Sequence, residues 1–348
     1  MPGLWAANFK QAVEAILFHS QINEKTCCMN RLARILITCF IVLLGVLKVG
    51  PFLIPIPDLE GTYPPQQLAD ADSRFIEVND LQVHYKVEGQ GEPAILLMHG
   101  FLSNLFSWRE VLSPLSETRT VIAFDRPAFG LTERPVEWSG KNPYSPDTQV
   151  ELVVGLMDKL GLEQVVLVGN SAGGTLAAMT TLYYPQRVQA LILVDPAIYS
   201  QGGTSDWIRP FLKTPQMRRL GPLFVRQVKT LGRDFGRLAW HNPERITEEI
   251  WEGYTKPLQA QNWDKALWEF ILASRTIKLE PELAECQLPV LVITGEDDRI
   301  IPMEQSMRLA SQLPNAEFVI LPNCGHIPQE ECPQDFLNAV NTFLNGVY

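Results

Sequence analysis

From Phe75 the chain alternates apolar and polar positions as strands do, in RFIEV and again in LQVHYKV after an Asn79-Asp80 turn, which predicts a hairpin. Past Gly89-Gln90-Gly91 the apolar residues become continuous in AILLMHG, the pattern of a strand buried on both faces. A regular order follows: a helix near Trp108–Leu115, strand TVIAFD, a helix near Asp147–Leu160, strand QVVLVG, a helix from Ser171, and strand ALILVD. Strands alternating with helices predict a parallel sheet covered on both faces. The alternation stops at Pro196. Residues 198–285 carry helical periodicities and no convincing strand. LPVLVITG, a helix near Met303–Gln312, strand EFVILP and a last helix from Gln334 then resume it. The predicted class is α/β: eight strands, mostly parallel, with a helical insertion after the sixth.

The amino terminus follows a different rule. Arg31 and Arg34 precede an apolar run from Ile35 to Leu47, which Lys48 and Gly50-Pro51 interrupt before Ile56. Counted over about 35–56, the run is long enough to span a bilayer if Lys48 snorkels. No small-x-small cleavage site follows it, so an uncleaved signal anchor is expected, with its basic end in the cytoplasm and the body extracytoplasmic. Residues 31–34 would themselves make an ordinary n-region, which places an expected translation start at Met29. The Pro- and Gly-containing residues 57–72 read as a linker, not a folded element. The expected layout is an amino-terminal segment 1–56, the linker, an α/β core over 73–197 and 286–348, and a helical cap over 198–285.

Composition narrows the classes. Apolar residues make up 46% and charged residues 20% of 348, ordinary for a globular chain. A net charge of −10 argues against general nucleic-acid binding, which needs clustered positive charge. The six cysteines form no CxxC pair and no Cys/His zinc spacing, so no structural metal is expected. Cys324 and Cys332 flank a histidine loop and are expected as free thiols.

Gly169, Ser171 and Gly173 form G-x-S-x-G directly after a Val-rich strand and at the start of an Ala-rich helix. The bare pattern is weak, but that context is what a nucleophile elbow requires. A serine nucleophile needs a base and the base an orienting acid. Of the five histidines, only His326 sits in a loop at the carboxyl end of a late strand, where sites in such sheets form. The acid candidates are Asp297 and Asp298 in TGEDDRIIP, with Asp195 after the sixth strand as a third.

Taken in order, HGF, DRPAFG, GNSAGG, GEDDRIIP and GHIPQE resemble the α/β-hydrolase superfamily from about Phe75 to the carboxyl terminus. The resemblance implies the α/β-hydrolase fold, selects Asp298 by its count from Gly295, and makes the Phe101 and Ala172 amides the oxyanion donors. His99 becomes structural, and Ala128 departs from a common glycine. No cofactor is implied. The implied function is ester hydrolysis through an acyl-enzyme on Ser171, with a small-molecule ester as partner, lipid-like or apolar in its acyl part. The anchor suits membrane-bound monoacylglycerol lipases and carboxylesterases. Alternatives within the resemblance are carbon–carbon hydrolases of meta-cleavage products and cofactor-free haloperoxidase-like members. Many of the former carry Trp where this chain has Ile327. A hydrolase-fold binding protein with little turnover is the alternative outside enzymes. Oligomeric state leaves no mark in the sequence.

The insertion holds five of the eight tryptophans, which predicts an apolar pocket beneath a cap. Between Arg209 and Arg237 it carries eight basic residues and one acidic residue. Phe224, Val228, Leu231, Phe235 and Leu238 share one helical face, and Arg226, Lys229, Arg233 and Arg237 another. The expected arrangement buries the apolar stripe and turns the basic face outward, toward anionic headgroups.

Overall fold

The computed structural model describes residues 30–199, 204–205 and 207–348, and the chain divides between Ile56 and Pro57. The expected start at Met29 lies outside the described residues. In the first unit a 24-residue apolar helix, α1, runs Asn30–Leu53. It begins five residues before the expected run because Arg31, Leu32, Ala33 and Arg34 are all good helix formers. It is about 36 Å long, enough for a hydrocarbon core of about 30 Å.

The second unit is built on one sheet. In chain order it holds β1 (Arg74–Val78), β2 (Leu81–Glu88), β3 (Ile95–Met98), α2 (Arg109–Ser116), β4 (Val121–Phe124), α3 (Pro146–Lys159), β5 (Val165–Asn170), α4 (Ala172–Tyr183) and β6 (Val188–Val194). After an insertion come β7 (Val290–Gly295), α10 (Met303–Gln312), β8 (Ala316–Leu321), α11 (Pro328–Glu331) and α12 (Pro333–Val347). The eight strands lie in the order β1-β2-β4-β3-β5-β6-β7-β8. β2 is antiparallel to both β1 and β4, and the remaining pairs are parallel. This is the predicted α/β-hydrolase architecture.

The continuous apolar strands are buried on both faces, and alternate residues serve opposite sides. Val165 and Leu167 of β5 join Leu156, Leu176 and Leu309 of α3, α4 and α10, while Val166 and Val168 join Val111, Phe336 and Val340 of α2 and α12. Truncating a side chain as enclosed as Phe336 would cost about 3–5 kcal/mol.

The insertion forms α5 (Arg209–Leu212), α6 (Pro215–Val225), α7 (Val228–Leu238), α8 (Glu248–Thr255) and α9 (Trp263–Ala273). Thr214 and Thr247 cap α6 and α8 by accepting from Met217 N and Ile250 N. Trp263, Leu267, Trp268 and Phe270 of α9 pack with Phe129 and Tyr144 of the α/β core.

Three expectations are corrected. Residues 57–72 are docked, not a free linker. Tyr63 exchanges backbone bonds with Gln259 and Gln261 at 2.8 and 2.9 Å, Pro57 O accepts from Arg226 Nη1 at 2.9 Å, and Lys86 and Lys256 hold Asp70. Backbone pairing overrides a composition that suits a spacer. Cys324 and Cys332 form a disulfide, with their Cα atoms 6.2 Å apart across a tight loop. Helix α7 does not bury its apolar stripe as expected. None of its residues is buried, and Leu231, Phe235 and Leu238 are exposed. Arg233 pairs with Glu248 at 2.7 Å and Lys229 lies 5.4 Å above the Trp263 ring, while Arg237 is exposed beside Asp234 and Val228 packs against the α9 cluster.

Candidate active site

Ser171 stands between β5 and α4 with φ 55° and ψ −121°, a conformation that costs a non-glycine residue about 1–3 kcal/mol. Its flanking glycines make the turn possible. A Cβ on Gly169 would lie 2.4 Å from Gly173 O, and one on Gly173 would lie 2.2 Å from Met98 O. The Ser171 amide donates to Val194 O at 2.9 Å, fixing the elbow to the end of β6. Ala172 occupies the first helical position, where an amide has no intrahelical acceptor and the helix end favours negative charge. The His99-Gly100-Phe101 loop lies against this turn, since a Cβ on Gly100 would come within 3.2 Å of Ser171 Cβ.

Loops after β7 and β8 deliver an acid and a base to the same place. His326 Nδ1 lies 2.7 Å from Asp298 Oδ2, and both residues are buried. Asp298 Oδ1 accepts from the amides of Ile300 and Ile301 at 2.8 and 2.9 Å, which aims the other oxygen at the imidazole. Ser171 and His326 line one cavity. Asp297 points elsewhere, to His241 Nδ1 at 2.9 Å and to Arg299. Asp195 stands behind the pair, with its Oδ1 accepting from Thr294 Oγ1 at 2.8 Å and Gly295 N at 3.0 Å. Burial, and then the nearby Asp298 charge, push the Asp195 carboxyl well above the usual range. One ligating atom each of Asp195, Asp298 and His326 fall within 4.8 Å of one another. Within that cluster Asp195 Oδ2 is buried with no hydrogen-bond partner.

Other histidines have structural partners. His99 Nε2 accepts from Arg126 N at 3.0 Å, so Nδ1 donates to Gly100 O at 2.8 Å, and burial lowers its pKa to about 4. His84 on β2 lies 2.6 Å from Asp125 Oδ2 and 2.7 Å from Ser73 Oγ. Ala128 takes φ 76°, which is why a glycine would be the easier residue there.

Several positioning contacts carry no sequence signal. Asn170 Nδ2 donates to Val194 O at 3.2 Å and His326 O at 3.0 Å, tying the elbow to the histidine loop. Glu331 is buried and accepts from Gly325, His241 and Asn242 amides at 2.7–2.8 Å. His326 N donates to Ala239 O at 2.7 Å, so the end of α7 also holds this loop. Glu330 accepts from Arg109 Nη1 at 2.8 Å and from Tyr254 Oη, and burial raises its pKa to about 7. The short α11 encloses both glutamates.

The cavity is walled chiefly by apolar side chains, among them Phe101, Phe129, Trp240, Trp251, Trp263 and Leu267. Three cations also line it. Arg233 is paired with Glu248, Lys229 lies over Trp263, and Arg134 is buried with its Nε unpartnered. The arrangement offers a serine hydroxyl, a buried histidine–aspartate pair and a helix amino terminus at one apolar pocket.

Comparison with known proteins gives the same picture. A family model described as the alpha/beta hydrolase fold matches residues 93–333. An uncharacterized hydrolase, YugF, of Bacillus subtilis (strain 168) is 32% identical over 278 residues, covering 78% of this chain and 97% of the relative. A 2-hydroxymuconate semialdehyde hydrolase of Pseudomonas putida is 33% identical over 268 residues, covering 74% of this chain and 88% of its own. The crystal structure of a membrane phospholipase A, a bacterial virulence factor, superposes with a TM-score of 0.64 at 26% identity, covering 91% of this chain and 99% of that one.

Proposed function

The chain belongs to the α/β-hydrolase family, and on that premise we propose that it is a membrane-anchored serine hydrolase cleaving carboxylic esters with apolar, lipid-like acyl groups. The observation that carries the reading is the strained Ser171 at a helix start, sharing an apolar cavity with a His326 that Asp298 orients. With Nδ1 donating to Asp298, Nε2 of His326 is the basic nitrogen. It takes the Ser171 proton as Oγ attacks the ester carbonyl, and Asp298 stabilises the imidazolium. The Phe101 and Ala172 amides receive the developing oxyanion. His326 then protonates the leaving alcohol. Water deprotonated by the same nitrogen attacks the acyl-enzyme, and the acid product leaves as Ser171 recovers its proton.

Residues 73–197 and 286–348 serve as the catalytic core under this reading, and 198–285 as the cap that chooses the acyl group. Helix α1 anchors the chain, with Arg31 and Arg34 on its cytoplasmic side. The Cys324–Cys332 disulfide suits an oxidising, extracytoplasmic compartment. The membrane phospholipase neighbour is a membrane protein of the same fold, which supports the comparison with membrane-bound lipases and carboxylesterases.

A second reading has its own support. The 2-hydroxymuconate semialdehyde hydrolase relative acts on a carboxylate-bearing dienoate, and Arg134 places a buried cation in the cavity. Assaying the full chain on p-nitrophenyl esters, monoacylglycerols and meta-cleavage dienoates separates the two. Faster turnover of the esters is expected. Turnover confined to the dienoates would move the assignment to carbon–carbon hydrolysis.

A further inference from the structure

Helix α7 is amphipathic with its apolar side in solvent. Leu231, Phe235 and Leu238 are 62%, 40% and 50% exposed, and Phe224 just before the helix is 61% exposed. The opposite side is held by the cap: Arg233 by Glu248, Lys229 over Trp263, and Gly236 by Trp251, whose ring would sit 2.7 Å from a Cβ there. Val228, Lys229, Gly232, Arg233, Phe235 and Gly236 line the candidate active-site cavity, so Phe235 stands at the edge between pocket and solvent while Leu231 and Leu238 lie wholly outside it. One helix therefore separates the pocket from an exposed apolar stripe. Burying that stripe in water-facing protein would have required the reverse orientation, which would strand the basic residues' ring and carboxylate partners.

The chain itself indicates what covers the stripe. Pro57 O is bonded to Arg226 Nη1 at 2.9 Å, and Arg226 stands in the turn between α6 and α7. Only Ile54, Pro55 and Ile56 separate Pro57 from the last residue of α1, and none is charged. Four residue steps span at most about 14 Å when fully extended. At most about 14 Å of chain therefore joins the end of α1 to Pro57, the residue that Arg226 holds. We propose that the outward stripe of α7 docks in the membrane interface, apolar side down, so that the pocket wall lies against the lipid from which substrate enters. The partner is the acyl–headgroup boundary, and apolar contact carries the docking, because Arg226 and Arg233 are already engaged by Asp264 and Glu248. The proposal rests on the membrane-anchor part of the reading above and is independent of the ester chemistry.

The test places p-benzoylphenylalanine at Leu231 or Leu238 of the full chain, reconstituted in vesicles of radiolabelled phosphatidylcholine with or without phosphatidylglycerol. Met307, an exposed residue of α10, is the control position. Irradiation should give lipid adducts at 231 and 238 in both vesicle types and few at 307. Absence of lipid adducts at 231 and 238, equal yields at all three positions, adducts only with anionic lipid, or cross-links to a second copy would each overturn the proposal. A second readout uses L231E/L238E, two positions outside the cavity lining. Hydrolysis of vesicle-embedded monoacylglycerol should fall about tenfold, with a water-soluble short ester turned over as before. Unchanged hydrolysis of the embedded substrate also overturns the proposal. Should the chain hydrolyse neither substrate, the cross-linking still decides the docking by itself.

Discussion

Two histidine–aspartate pairs in this molecule share their geometry and differ in everything around them. His84 lies 2.6 Å from Asp125 with Ser73 Oγ 2.7 Å from its other nitrogen, and His326 lies 2.7 Å from Asp298 with Ser171 in the same cavity. Ser73 sits in an ordinary turn, where its oxygen also accepts from Asp70 N at 3.0 Å. Ser171 has a positive φ, opens a twelve-residue helix and lines a pocket with the Gly100-Phe101 loop. Asp125 is locked by the Leu105 and Leu131 amides and by His84 as a structural latch. The strained backbone, the helix start and the apolar cavity at Ser171 distinguish the one from the other.

The largest expected effect tests that distinction at the serines. Ser171→Ala should abolish fluorophosphonate labelling and lower ester turnover by roughly a thousandfold or more, while Ser73→Ala leaves both intact. Mass spectrometry of the labelled protein locates the adduct. A fluorophosphonate on Ser73 would show that side-chain geometry alone suffices and would break the comparison.

The aspartates should separate catalysis from stability. Asp298→Asn is expected to lower kcat by roughly 10⁴ with little change in Tm, because the imidazolium loses its counter-charge. Asp125→Asn should instead destabilise the fold. Burial alone would raise the Asp125 carboxyl, but His84 and the amide bonds bring it down to about 2 from an ordinary 3.8. Its folded pKa is depressed, so its contribution, about 2 kcal/mol, is present above pH ~4 and lost as pH falls toward 2. Asp195 has the opposite sign. Its folded pKa is raised, so the folded state holds a proton that the unfolded chain releases. Stability is thus lost as pH rises above the ordinary carboxylate range. Tm measured against pH should show Asp125→Asn most harmful at neutral pH and Asp195→Asn flattening the decline toward alkaline pH. A decline of Tm toward alkaline pH as steep in Asp195→Asn as in the wild type would overturn this assignment.

What could be read from the sequence divides along physical lines. Buried parallel strands leave continuous apolar runs and the β1–β2 hairpin leaves an alternation, so the strands were legible, and GNSAGG with GHIPQE pointed to the residues that the fold brings together. α11 was not legible, because PQEE is too short to show a period and its acids look solvated. Periodicity says nothing about which side chains of α7 look outward; that is decided by Glu248, Trp251 and Trp263 arriving from other helices. Residues 57–72 were misread because backbone bonds at Tyr63 leave no trace in side-chain composition. Asn170 and Glu331 escaped notice for a related reason: each bonds main-chain groups brought near only by the fold.

The smallest expected effect concerns Asp297, the neighbour that competes with Asp298 for the acid role. The two carboxylates leave the chain in different directions. Asp298 is enclosed and accepts two amides, whereas the Asp297 side chain is about one-third exposed and shared between Arg299 and His241. Ion pairs of that exposure contribute about 0–1 kcal/mol, so Asp297→Asn should change kcat by no more than about twofold. One route for a larger effect exists, because His241 N is bonded to Glu331, which also holds Gly325 beside His326. That route passes through the backbone of His241, and the Asp297 contact reaches only its ring, so the His326 loop keeps its ties when the charge is removed. Steady-state kinetics of Asp297→Asn and Asp298→Asn side by side decide the matter, and a greater loss in Asp297→Asn would reverse the pairing.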